Sequence, residues 1–172
     1  MSRLAMGLAA SVLLAGCNRQ ETGAGRIEVS WTGSDTGRIA APAVAHWCAS
    51  DSTLEITGIE ADSGAALALF PADTVIAGRY PVGSPTRDLT RPRAGVALRR
   101  FGENMVLGYY SRSGVVSLDS LDPYAGTVEA TLQNLSSGEQ VTLSGGFHGI
   151  RLSADSSCRS RPDSNPPDSG IR

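Results

Sequence analysis

The sequence predicts an all-β domain: an antiparallel β-sandwich of about eight or nine short strands, with a small β-barrel as the alternative. Three observations carry that expectation. Apolar residues recur with a period of two rather than 3.6 along most of the chain. Twenty glycines and nine prolines break it into short runs at turn-sized intervals. Aromatic residues are only 5% of the 172, so small and β-branched aliphatic side chains must fill the interior, and these suit strands. The length suggests one domain.

In chain order, Ile27, Val29 and Trp31 alternate with Glu28 and Ser30 and predict a half-buried first strand. Residues Ala40–Ala49, with Val44 and Trp47, predict a second, although Ala43–Ala45 also suits a short helix. Leu54, Ile56 and Gly58 alternate with polar neighbours, Asp62–Ser63–Gly64 supplies turn chemistry, and Ala66–Phe70 runs apolar, which together predict a hairpin. Thr74–Tyr80 reads as the next strand and Ser84–Pro92 as a Pro- and Arg-bearing loop. Gly95–Phe101 resumes the strand pattern, and Gly102–Asn104 turns it into Met105, Leu107 and Tyr109 on one face. Ser111–Gly114 reads as a further turn into Val115–Leu118. The last pair is the clearest: Val128, Ala130 and Leu132 are answered across an Asn134–Gly138 turn by Val141 and Leu143. From Val141 to Phe147 the apolar positions are odd-numbered, but Ile150 and Leu152 are even, so a bulge near Gly145–Gly149 is expected.

The N-terminus carries an address. Met1–Arg3 gives a short positive region, and Leu4–Ala15 is an apolar run too short to span a bilayer as a helix. It ends in Leu14–Ala15–Gly16–Cys17, which resembles the bacterial lipobox. The resemblance implies cleavage before Cys17, a diacylglyceryl thioether on its thiol and a third acyl chain, such as palmitate, on its freed amine. Several chains together anchor a protein stably where one alone is marginal. The expected organisation is a signal peptide over 1–16, a tether over 17–25, a β domain over 26–158 and a Pro- and Ser-rich disordered tail over 159–172. By resemblance to enterobacterial lipoprotein sorting, in which an Asp at this position implies inner-membrane retention, Asn18 implies the outer membrane of a cell envelope.

With Cys17 consumed, Cys48 and Cys158 remain as an even pair in an exported chain and are expected to form a disulfide. Two free buried thiols are the alternative. The formal charge of −2 gives no global field for nucleic acid or membrane. All 15 basic residues are Arg, which excludes lysine Schiff-base chemistry.

Two further stretches share a pattern. Val75–Val82 contains Gly78–Arg79–Tyr80–Pro81, and Gly126–Thr131 is followed by Ser137–Phe147. Together they resemble small bacterial β-sandwich lipoproteins of unknown function, over about half of the mature chain. The resemblance implies the fold and no activity.

No catalytic constellation stands out. His148 with Ser144 and a distant Asp sketches a hydrolase triad, but no Gly-x-Ser-x-Gly elbow accompanies it. Asp119 and Asp122 offer carboxylates but lack the ligand spacing of a calcium loop, and His46 near Cys48 lacks that of a zinc site. Phosphate-binding loops, dinucleotide fingerprints and nucleic-acid motifs are absent from the sequence. No metal, cofactor or nucleic-acid partner is expected. Trp31 and Trp47 are expected to pack in the core. The leading surface feature is an arginine cluster of Arg87, Arg91, Arg93, Arg99 and Arg100, a candidate contact for an envelope protein or an anionic polymer. The expected function is a membrane-anchored, non-catalytic binding or structural role. A carrier of a small hydrophobic ligand is the alternative, and a hydrolase using His148 is the weakest reading.

Overall fold

The computed structural model describes residues 25–83 and 90–153. These hold nine strands: β1 (Arg26–Gly33), β2 (Gly37–Cys48), β3 (Thr53–Glu60), β4 (Ser63–Phe70), β5 (Gly78–Gly83), β6 (Arg93–Phe101), β7 (Val106–Leu121), β8 (Tyr124–Asn134) and β9 (Gln140–Ile150). No helix occurs among the described residues, so Ala43–Ala45 belongs to a strand.

The strands form one mixed sheet in the order β1-β2-β3-β4-β6-β5-β7-β8-β9. β9 pairs with β8 on one side and with β1 on the other, from Arg26↔His148 to Gly33↔Val141, so the sheet closes on itself. The sequence leads first to two sheets packed face to face; the pairings give one. Closure has a physical reason. β1 alternates buried Ile27, Val29 and Trp31 with exposed neighbours, and as a sheet edge it would leave a row of backbone groups unsatisfied. Pairing with both β2 and β9 removes that edge.

Neighbouring strands are antiparallel except β5 and β6, which meet in parallel through the single pair Val82↔Ala94. β7 is shared along its length. Its first part pairs with the end of β6, from Phe101↔Val106 to Ala97↔Tyr110, and its later part pairs with β5 from Gly83↔Ser113 to Gly78↔Leu118. β5 is thus wedged where β6 and β7 part company.

Inward positions build one core. Trp31, Tyr80, Tyr109 and Phe147 are its large fully buried rings, surrounded by Ile, Leu and Val from all nine strands. Trp47 is partly buried and packs against the same cluster. Gly58 continues the inward alternation of Leu54 and Ile56 without a side chain, because a Cβ there would overlap Ile27 Cγ2.

Three local readings change. Ser111–Gly114 does not turn but lies within β7, where the register slips at Arg112 between Ser111↔Leu132 and Ser113↔Thr131. The extra residue moves the buried positions from odd (Tyr109, Ser111) to even (Val116, Leu118) while pairing continues. Most of Thr74–Tyr80 is loop, and the strand begins only at Gly78. The buried Tyr80 hydroxyl donates to the Ile76 carbonyl (2.8 Å) and accepts from the Ile76 N–H (3.1 Å), satisfying groups that a ladder would otherwise take. The β3–β4 turn falls at Ala61–Asp62, slightly ahead of the Asp62–Gly64 expected, with Ala61 at φ 47°. The bulge expected near Gly145–Gly149 is present: the four residues of β9 from Phe147 to Ile150 oppose the three of β8 from Gly126 to Tyr124, and Gly149 sits at φ 66°.

Candidate functional site

A strand pairing on both sides can expose only its outer face, so the site must be sought in the side chains pointing away from the core. On β4 and β6 these are unusually small. The register places Ala68 against Gly95, Ala66 against Ala97 and Gly64 against Arg99. β3 adds Glu55, Thr57 and Ile59 beside Ala68, Ala66 and Gly64. Tyr110 of β7 lies beside Ala97 on the other flank. Small residues in the middle of a sheet face, flanked by large ones, make a trough.

This trough is a cavity of about 690 Å³, open to solvent. Its two ends are aromatic. At one, the Phe70 ring lies over Gly95, close enough that a Cβ there would touch Cε2 at 3.8 Å, and the Arg93 guanidinium sits 5.0 Å from the ring centroid. At the other, Phe101 and Ile59 flank Gly64, at 3.6 and 3.4 Å from where its Cβ would be. Arg93, Arg99 and Arg112 line the cavity, and Glu55 is the acid in the same lining. Leu135 and Tyr110 complete the β7–β8 side. The exposed apolar side chains Ile59, Phe101, Val106, Tyr110 and Leu135 continue the surface around it.

The arginines singled out in the sequence part company here. Period two puts Arg93 and Arg99 on the outer face of β6, whereas Arg100 takes the opposite side at the strand's end. There Arg100 meets Asp35 (3.2 Å) and Asp62 (3.4 Å) and lies 5.6 Å from the Trp31 ring centroid. Asp35 also accepts the Trp31 indole N–H at 3.1 Å, so one carboxylate ties the β1–β2 loop to the end of β6. Arg91 is exposed just before β6, and Arg87 lies outside the described residues. Arg112 joins Arg93 and Arg99 because β7 runs on through buried Ser111, which keeps Arg112 on the same outward side as Tyr110; a sequence reading of a turn there hides this. The trough itself has a signal in sequence. In β4 the outward positions Gly64, Ala66, Ala68 and Phe70 are all non-polar, so both of its faces are apolar although only one meets the core.

The remaining candidates are placed as follows. Ser144 and His148 are exposed and lie four residues apart on β9, about 13 Å along an extended strand, too far to share a proton. Asp119 is on β7, and Asp122 is in the turn before β8, where the Asp122–Pro123 peptide is cis. Burial first, and then the nearby Asp122 charge, raise the Tyr124 phenol above its ordinary 10.0. Cys48 is buried at the end of β2. Cys17, Cys158, the 1–16 segment and the 159–172 tail lie outside the described residues. No helix among the described residues is long and apolar enough to cross a membrane. No family model, characterised protein or solved structure matches the chain.

Proposed function

We propose that the protein is a lipid-anchored envelope lipoprotein whose closed sheet is a small β-barrel with a non-catalytic binding role, and that it docks its partner in the trough outside β3, β4 and β6. The observation that carries the docking surface is the contrast between the two sides of the sheet. The inside is filled by interlocking side chains. The outside bears a cavity of about 690 Å³, floored by Ala and Gly and rimmed by arginines, a size and polarity typical of binding sites. The same contrast supports a carrier role as a second reading, with cargo outside the barrel rather than within it.

The anchor rests on Leu14–Ala15–Gly16–Cys17 and places the protein in the envelope, at the outer membrane. A Cys48–Cys158 disulfide belongs to the same reading. Leu152 bridges Ala45 in parallel, and the Ser153 N–H donates to the Ala45 carbonyl at 2.8 Å. The chain therefore runs beside β2 three residues before Cys48 and five before Cys158.

Two experiments test this. Mass spectrometry of the envelope fraction should find a mature chain starting at an acylated Cys17, lost in Cys17→Ser; an unacylated chain retaining Met1 refutes the anchor. Cross-linking in the native envelope should recover partners from wild type and lose them when Ala97→Trp fills the trough. Unchanged recovery refutes the docking surface.

A further inference from the structure

The geometry points to a specific occupant for the trough: a long-chain fatty acid, with its carboxylate between Arg93 and Arg112 and its chain laid along the Ala/Gly floor toward Phe101. This rests on the docking reading above and adds the chemistry of the ligand.

The floor selects against polar ligands. Ala66, Ala68, Gly95 and Ala97 offer no side-chain donor or acceptor, and their backbone groups belong to the β4–β6 ladder. The Ser111 hydroxyl in the lining is already engaged, accepting from the Val96 N–H (3.1 Å) and facing the Gly83 carbonyl (3.4 Å). A sugar laid flat on this floor would lose water along its whole face and recover hydrogen bonds only at the charged and polar rim. An added peptide strand has no ladder to join, because β4 is paired through this stretch to β3 and β6. An alkyl chain loses nothing and buries apolar area on both sides.

The dimensions agree. From Arg93 to Arg99 the outer face of β6 runs six residues, about 20 Å. A chain filling one leaflet of a bilayer whose core is about 30 Å thick spans about 15 Å. The chain therefore fits within the trough with its head at one end.

The charge is placed for that head. Arg93, stacked on Phe70, precedes Ala94, which meets Val82 of β5. Gly83, the next residue of β5, meets Ser113, the neighbour of Arg112. Both residues line the cavity, so at this end the Arg112 fork suits a carboxylate and Arg93, stacked on Phe70, adds its charge. Glu55 stands on β3, two strands from β6 and so about 10 Å away. Arg99 marks the other end, beside Phe101.

The test uses the full chain carrying Cys17→Ser, so that no acyl chain of its own competes. It is titrated with a fluorescent long-chain fatty acid below its micelle concentration. Saturable one-site binding is expected, weakened at least tenfold by Ala97→Trp and three- to tenfold by Arg112→Gln. A fatty alcohol of equal length should compete at least tenfold more weakly than the acid in wild type and be indifferent to Arg112→Gln. Circular dichroism checks each variant, and Ala66→Leu replaces Ala97→Trp if the latter unfolds. Equal competition by alcohol and acid overturns the proposal, as does full binding by a folded, trough-filled variant. Stronger competition by a lysophosphatidylglycerol than by the acid also overturns it, in favour of a phospholipid. If no fatty acid binds but Ala97→Trp still abolishes envelope cross-links, the ligand is wrong and the docking surface stands. If neither responds, both fall.

Discussion

Closure of the sheet depends on β1 and β9 coming close at Gly145, and a single methyl group there tests it. Gly145 has φ +156°, and a Cβ on it would fall on the Glu28 carbonyl oxygen and 2.6 Å from Val29 Cα. Both are backbone atoms of β1, which no rotamer change can move aside. Gly145→Ala therefore carries two costs. Holding an L-residue in this glycine region costs about 1–3 kcal/mol. Pushing β1 away opens the ladder around Val29↔Gly145. Two hydrogen bonds strained or lost there cost about 1 kcal/mol each, more where the groups stay buried. The sum, about 3–5 kcal/mol, is a large part of the 5–15 kcal/mol that holds a typical domain. Gly83→Ala is the matched control, since a Cβ there meets nothing within 4 Å. It should be neutral, or stabilise by a few tenths of a kcal/mol by restricting the unfolded chain. The assay is urea denaturation of the full chain followed by fluorescence of the buried Trp31, which pairs with Leu143 across the same seam. At a slope of about 1–3 kcal/mol per molar, Gly145→Ala should lower the midpoint by 1 M or more. Shifts for the two variants that agree within error would refute the reasoning, because the seam would then have room that the geometry denies.

Tyr80→Phe removes the hydroxyl that holds both backbone groups of Ile76 and should cost about 1–3 kcal/mol; a urea midpoint equal to wild type would show that water replaces it without loss. Asp35→Ala strips the acceptor from the Trp31 indole and one carboxylate from Arg100, so a loss of about 1–3 kcal/mol is expected, with Asp35→Asn recovering part of it by keeping an acceptor; Asn no better than Ala would assign the effect to Arg100 alone. Tyr124 should ionise above its ordinary 10.0, mostly because of burial and less because of Asp122. Its folded-state pKa is raised, so the stability it contributes is complete below the unfolded pKa and is lost as pH rises through the folded one. Tyrosinate absorbance, isolated by difference against Tyr124→Phe, should show Asp122→Asn lowering the midpoint without restoring it fully; full restoration would make charge rather than burial the main cause.

How much of this was legible in the sequence depended on whether one strand carried its own signal. β1, β3, β8 and β9 announce themselves through alternation, and the bulge at Gly149 follows from a change of parity between Phe147 and Ile150. The bulge at Arg112 escaped because Ser111–Gly114 has turn composition, and only pairing to Leu132 and Thr131 shows that the strand continues. The strand start at Gly78 escaped for a similar reason: Thr74–Ile76 has strand composition, but the Tyr80 hydroxyl reaches back from β5 and takes both backbone groups of Ile76. The trough is half legible: the non-polar outward positions of β4 signal an apolar outer face, but its shape is a property of register. Gly64, Ala66, Ala68, Gly95 and Ala97 are unremarkable singly and become a surface only once β4 and β6 are laid side by side. Neighbouring arginines were read as one cluster, yet Arg99 and Arg100 must face opposite ways on any strand, a consequence of alternation that the sequence contained and the count of arginines obscured.

The pairing of Arg26 with His148 also governs how the chain can be made. Of the described strands β1 is made first and β9 last, so the ladder between them stays open until β9 emerges. Contacts of such wide sequence separation fold slowly. Until then Val29 and Trp31 offer an adhesive ribbon to any similar chain. A nascent chain halted before Gln140 would therefore be a template for aggregation, and whatever accompanies this protein before completion must shield that ribbon.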